Sequence, residues 1–104
     1  MVIKPVLNMF KEKAREIYGE QLRNIILYGS WARGQATNES DIDLAVVINA
    51  DIKPGREIDR MIDAVTEINL EYGVLLSIYP VSAKNYEQLK SPLLMNIRRE
   101  GVVA

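Results

Sequence analysis

Leu27-Tyr28-Gly29-Ser30-Trp31-Ala32-Arg33-Gly34, followed by Ser40-Asp41-Ile42-Asp43-Leu44, is the stretch on which the reading of this chain turns. The apolar run Asn24–Tyr28 reads as a strand that breaks sharply at Gly29-Ser30. Trp31–Arg33 fits one short helical turn closed by Gly34, and 35–40 is a polar loop. From Asp41 to Ile48 the sequence alternates and then turns continuously apolar, as a strand does when it enters a core with one polar end.

Two chemical devices lie in this stretch. Glycine at a strand-to-turn corner lets a phosphate approach the backbone. The N–H groups of the next turn offer it a positive end. The Ser30 hydroxyl either caps that turn or bonds a phosphate oxygen, so a plain tight turn and a phosphate cradle both stand. Asp41 and Asp43, two apart on a strand, point to one face. They are either two solvated aspartates at a strand edge or a pair that repel and bind a cation. Magnesium takes one or two carboxylates and completes its shell with phosphate and water.

Working outward, Leu7, Phe10, Ala14 and Ile17 mark a first amphipathic helix after Pro5, with Gly19 just past its end. Ile58, Met61, Ile62, Val65, Ile68 and Tyr72 mark a second, with Gly73 as its C-cap. Val74–Val81 reads as a third strand. Ser82 opens a short helix to about Leu89, and Ser91-Pro92 opens a last one that stops at Gly101. So few helices do not cover both faces of three strands. The expected architecture is a single α+β domain over 1–104, with helices packed on a small three-stranded sheet.

The 104 residues carry thirteen basic and fourteen acidic groups, for a net charge of −1. That balance argues against a long nucleic acid as the main partner. Arg98-Arg99 form a local pair of cations, and Arg15 and Arg23 lie apart from them. There is no cysteine and no histidine, which excludes disulfides, the usual zinc sites and Cys/His or Ser/His/Asp catalysis. No apolar run approaches the roughly 20 residues needed to span a bilayer, and Met1–Pro5 lacks the apolar core of a signal peptide. A cytoplasmic protein is expected.

Gly29-Ser30, ten residues, then Asp41-x-Asp43, with the flanks quoted above, resembles the signature of the DNA polymerase beta-like nucleotidyltransferase superfamily. At this length the chain looks like a minimal nucleotidyltransferase, and residues 91–101 look like the ending of one subgroup. The resemblance implies the nucleotidyltransferase fold with a small mixed sheet. It implies Gly29, Ser30, Arg33 and Ser40 at the nucleotide, Asp41 and Asp43 as ligands of Mg2+ (two ions with bound ATP), and Asp41, Asp43 and Ser30 as the catalytic set. It further implies an antitoxin that transfers AMP from ATP to a tyrosine of a partner HEPN ribonuclease toxin. The assembly would be a hetero-oligomer with that partner, or a homodimer, with no membrane and no direct nucleic-acid contact.

One departure stands out. Many active members carry a third carboxylate on the next core strand, where this chain has Ser77. Glu71 falls on the helix side of Gly73. The alternative is therefore a catalytically weak antitoxin or adaptor that neutralises its partner by binding alone. An enzyme modifying a small molecule ranks below both, because little chain remains for an acceptor domain.

Of the lesser candidates, Arg33 reaches a phosphate or pairs with Glu39 or Asp41. Trp31 packs across the sheet edge or meets a partner. Ser40 caps its loop and orients Asp41. Tyr79 and Tyr86 pack or lie at an interface. Met61 and Met95 read as core.

Overall fold

In the computed structural model, which describes residues 3–104, the first helix α1 runs over Lys4–Tyr18. Met1 and Val2, part of the stretch read as lacking a signal peptide, lie outside the described residues. Pro5 occupies the first turn of α1, where its missing N–H costs nothing. Gly19 ends the helix at φ 56° and donates to Arg15 O. The buried stripe is Val6, Phe10, Ala14 and Tyr18, with Leu7 and Ile17 on its flanks.

A single 3-10 turn leads into β1 (Leu22–Tyr28), which pairs antiparallel with β2 (Ile42–Ile48). Helix α2 (Pro54–Tyr72) then crosses over to β3 (Leu76–Ser82), parallel to β2. Gly73 adopts the left-handed conformation at φ 63° and caps α2, as its place in the sequence implies. Two short helices follow, α3 (Ala83–Gln88) and α4 (Pro92–Glu100). The Ser82 hydroxyl accepts from Asn85 N and the Ser91 hydroxyl from Leu94 N, both at 3.1 Å. Each satisfies one of the orphan donors of a helix start.

The sheet is mixed, as expected, but it has four strands in the order β3-β2-β1-β4 rather than three. The added β4 (Val102–Val103) pairs antiparallel with β1. Two residues are too few for an alternating pattern to declare itself. Gly101 makes the pairing possible. A Cβ there would overlap Ile97 O and Ile26 Cγ2, so α4 and β1 close on the bare backbone.

The helices also cover both faces, contrary to the expectation that so few could not. On one face, α1 and α2 bury Phe10, Met61 and Ile68 against Ile25, Leu44 and Val46. On the other, α3 and α4 place Ala83, Leu94 and Ile97 over Ile26, Ala45, Val47 and Val81.

Two further expectations need correction. Helix α2 buries Glu57, Met61, Val65 and Ile68, whereas Ile58 and Ile62 are 40% and 47% exposed. Glu57 can be buried because the Tyr18 hydroxyl donates to its Oε1 (2.9 Å), as does Arg60 Nη1 (3.2 Å). Arg60 also stacks over the Tyr18 ring at 4.6 Å and donates to Ile17 O. Met61 is core, but Met95 is exposed on the outer side of α4.

The outer edge of β3 is organised too. Ile42 N donates to Leu75 O. In a parallel ladder this turns the backbone of Leu75, Ser77, Tyr79 and Val81 toward β2, and that of Leu76, Ile78 and Pro80 outward. The outward Leu76 N–H is taken by Asn69 Oδ1 at 2.9 Å.

Candidate active site

The ends of three strands bring the motif together. Tyr28 is opposite Asp43 across the β1–β2 ladder, and Asp43 is beside Ser77 across the β2–β3 ladder. By the two-residue alternation of strands, Tyr28, Asp43, Ser77 and Tyr79 share the sheet face that α3 and α4 cover farther along. Ser77 is exposed, and Asp43, Tyr28 and Tyr79 are half-buried. This end of the face is therefore open to a ligand.

Gly29 follows Tyr28 at φ 73°, and a Cβ on it would collide with Asp43 Oδ2. The turn beyond it is held by Arg33 N to Gly29 O (3.1 Å) and Gln35 N to Ser30 O (2.9 Å), with Gly34 at φ 71°. The one short turn expected at Trp31–Arg33 is present and does not continue as a helix. The Trp31 indole packs against the core under α1 and α2, and its Nε1 donates to Ser40 O at 3.4 Å. The Ser40 hydroxyl accepts from Thr37 N at 2.9 Å. Ser40 thus caps its own loop, and the loop is pinned to the glycine turn immediately before Asp41.

Electrostatics mark Asp43 as the strained group. Burial pushes its carboxyl above the usual 3.8, the Asp41 charge pushes the same way, and Arg33 opposes both. The Tyr28 hydroxyl is pushed up to about 12, by burial first and then by the Asp43 and Tyr79 neighbours. Two carboxylates crowd one exposed strand end with a single cation nearby. That cation, Arg33, is engaged elsewhere. Its Nη1 meets Glu100 Oε1 at 3.1 Å and its Nε donates to Gln35 Oε1 at 3.2 Å, so the expected pairing with Glu39 or Asp41 is replaced. Glu100, from the end of α4, was not singled out in the sequence. In the sequence Tyr28 was legible as the end of a strand and Tyr79 as a packing or interface residue, neither as a neighbour of Asp43. Glu71 is exposed on α2, before Gly73.

The family model of the polymerase beta nucleotidyltransferases matches residues 11–103. The chain belongs to that family. Relatives of this nucleotidyltransferase include two proteins of Methanocaldococcus jannaschii that carry the provisional name protein adenylyltransferase. One is 34% identical over 102 residues, covering 97% of this chain and 92% of the relative. The other is 38% identical over 101 residues, covering 92% of this chain and 67% of the relative. Among solved structures, a toxin–antitoxin crystallised with AMP-PNP superposes with a TM-score of 0.66 at 17% identity, over 92% of this chain and 69% of that one. At that identity the superposition speaks for the fold. The chain is a nucleotidyltransferase, and enzymes of its family generally use divalent metals. No helix among the described residues is long and apolar enough to cross a membrane.

Proposed function

We propose that residues 1–104 act as one minimal nucleotidyltransferase domain that moves AMP from ATP to a tyrosine of a partner HEPN toxin, as an antitoxin in the cytoplasm. The carrying observation is the placement of Asp43 between Gly29 and Ser77, with Asp41 beside it, on the open end of the sheet. The names of the relatives and the toxin–antitoxin neighbour agree with this reading.

The residues fit a magnesium–ATP complex. The donors are hard carboxylate oxygens, and a bare glycine backbone lies against one of them. Asp41 and Asp43 would hold Mg2+, two ions with bound ATP, and the metal would supply charge to neutralise the phosphate oxygens and the departing pyrophosphate. Gly29 lets the triphosphate reach the backbone, and the Ser30 hydroxyl donates to one of its oxygens. Ser40 keeps Asp41 at the strand entrance through the loop it caps. Arg33 reaches the phosphates by exchanging Glu100 for them. In the transfer, the acceptor hydroxyl oxygen bonds to the α-phosphorus as the bond to pyrophosphate breaks, and the hydroxyl proton leaves to a nearby base. Asp43 is the base at hand.

Ser77 favours a second reading. It stands in register with Asp43 and brings no charge, so acceptor deprotonation would depend on the metal, on Asp43 or on a group of the partner. A chain in which that is too little neutralises the toxin by occlusion. Purified chain and toxin, mixed with ATP and Mg2+, decide between the two by intact mass of the toxin. Gain of one or more AMP units, absent with Asp41→Ala/Asp43→Ala, is expected. A bound, inhibited toxin of unchanged mass establishes occlusion instead.

A further inference from the structure

Glu100 ends α4, where the partial negative charge of the helix disfavours an acid. The two cations of the last turn do not relieve it. Arg98 donates to Tyr86 O and Leu89 O, and Arg99 to Asn96 Oδ1. Among the described residues, the ion pair that Glu100 makes is with Arg33, Nη1 to Oε1 at 3.1 Å. The backbone fixes this carboxylate at the margin of the site. Gly101 N donates to Ile97 O at 2.8 Å, and a Cβ on Gly101 would overlap Ile26 Cγ2, so the end of α4 lies directly on β1. Val102 then pairs with Leu27, two residues short of Gly29.

Arg33 is tied to the site from the other side. Its N–H donates to Gly29 O at 3.1 Å, and the space beside the Gly29 Cα is filled by Asp43 Oδ2. Its charge is felt at Asp43. Asp41 and Asp43 repel each other, and a guanidinium offers paired N–H groups that suit a carboxylate. Left to itself, Arg33 would close on them. Yet among the described residues no ion pair joins Arg33 to Asp41 or Asp43. Two acceptors hold it elsewhere, Glu100 on Nη1 and Gln35 Oε1 on Nε, the latter at 3.2 Å. Of these, only Glu100 has the charge to compete with an aspartate.

We propose that Glu100 is a positioning residue that keeps Arg33 off Asp41 and Asp43, so that the two carboxylates stay open to a divalent cation. This role rests on the reading of Asp41 and Asp43 as metal ligands. It makes Glu100 a holder of the one cation that would otherwise occupy the metal's place, until a triphosphate takes that cation over.

Amide NMR of the full chain, with Mn2+ added in the absence of nucleotide, tests this. Mn2+ at Asp41 and Asp43 broadens the signals of Gly29, Ile42 and Ser77. Glu100→Gln is expected to raise the Mn2+ concentration for half-maximal broadening about tenfold, the low end of what a guanidinium does to a carboxylate that it touches. Removing the cation as well, in Arg33→Gln/Glu100→Gln, restores the affinity to that of Arg33→Gln within about twofold, since nothing is left to release. Glu100→Gln keeps the length and shape of the side chain, and unchanged signals of Val102 and Val103 verify that α4 and β4 hold their places. Equal Mn2+ demand in the wild type and Glu100→Gln overturns the proposal. So does a loss of the same size with and without Arg33, which is the effect of one charge removed at a distance. Signals that never broaden, or that broaden equally in Asp41→Ala/Asp43→Ala, mark a different failure: they remove the metal site itself, and this role of Glu100 with it.

Discussion

At Gly29 two constraints coincide. The backbone is in the left-handed region, where L side chains are strained, and the space a Cβ would take belongs to Asp43 Oδ2. Gly29→Ala is expected to cost about 1–3 kcal/mol in urea denaturation and to weaken ATP binding, because the carboxylate must swing away. Asp43 carries a separate signature. Burial and Asp41 raise its carboxyl above 3.8, so over that window the folded chain binds more protons than the unfolded one. Stability therefore falls as pH rises through the raised value, and the cost persists at neutral pH. Asp43→Asn is expected to raise the melting temperature at pH 7 without divalent metal, and the difference to close below pH 3.8. A variant equally stable at both pH values would mean that the carboxylate is not strained.

At the scale of elements, α1 and α2 are clamped by Tyr18, Glu57 and Arg60. The Tyr18 hydroxyl is itself pushed up by burial and by its bond to Glu57. Tyr18→Phe leaves a buried carboxylate oxygen with Arg60 alone, for an expected loss of about 1–2 kcal/mol at constant m-value. This clamp also explains what the sequence hid. The helices, their glycine caps and the Ser82 and Ser91 caps were legible, because each is a local device with a fixed offset. The buried face of α2 was legible only in part: Met61, Val65 and Ile68 are buried as read, whereas Ile58, Ile62 and Tyr72 are not. Hydrophobic periodicity favours Ile58 and Ile62, while the structure buries an acid whose partner is 39 residues away. Residue Arg33 is similar, since its ion-pair partner Glu100 lies 67 positions on.

At the scale of the molecule, the candidate site was legible because its parts sit at neighbouring strand ends and ten residues of loop return the chain to the same corner. That Tyr28 and Tyr79 share the face of Asp43 was not legible, because register, not spacing, brings them there. The same register bears on β3, which is the outermost strand on its side of the sheet. Between Leu76, whose N–H is already committed to Asn69, and Pro80, which has none, the outer side of β3 offers only the Ile78 N–H. A strand arriving from another chain finds almost no donors there, which is how natural sheets avoid edge-to-edge growth. Pro80→Val restores a donor and raises strand propensity. It is expected to leave ATP binding intact while light scattering on heating begins earlier and at lower concentration. Pro80, read in the sequence only as part of a strand, thus blunts the open edge of β3.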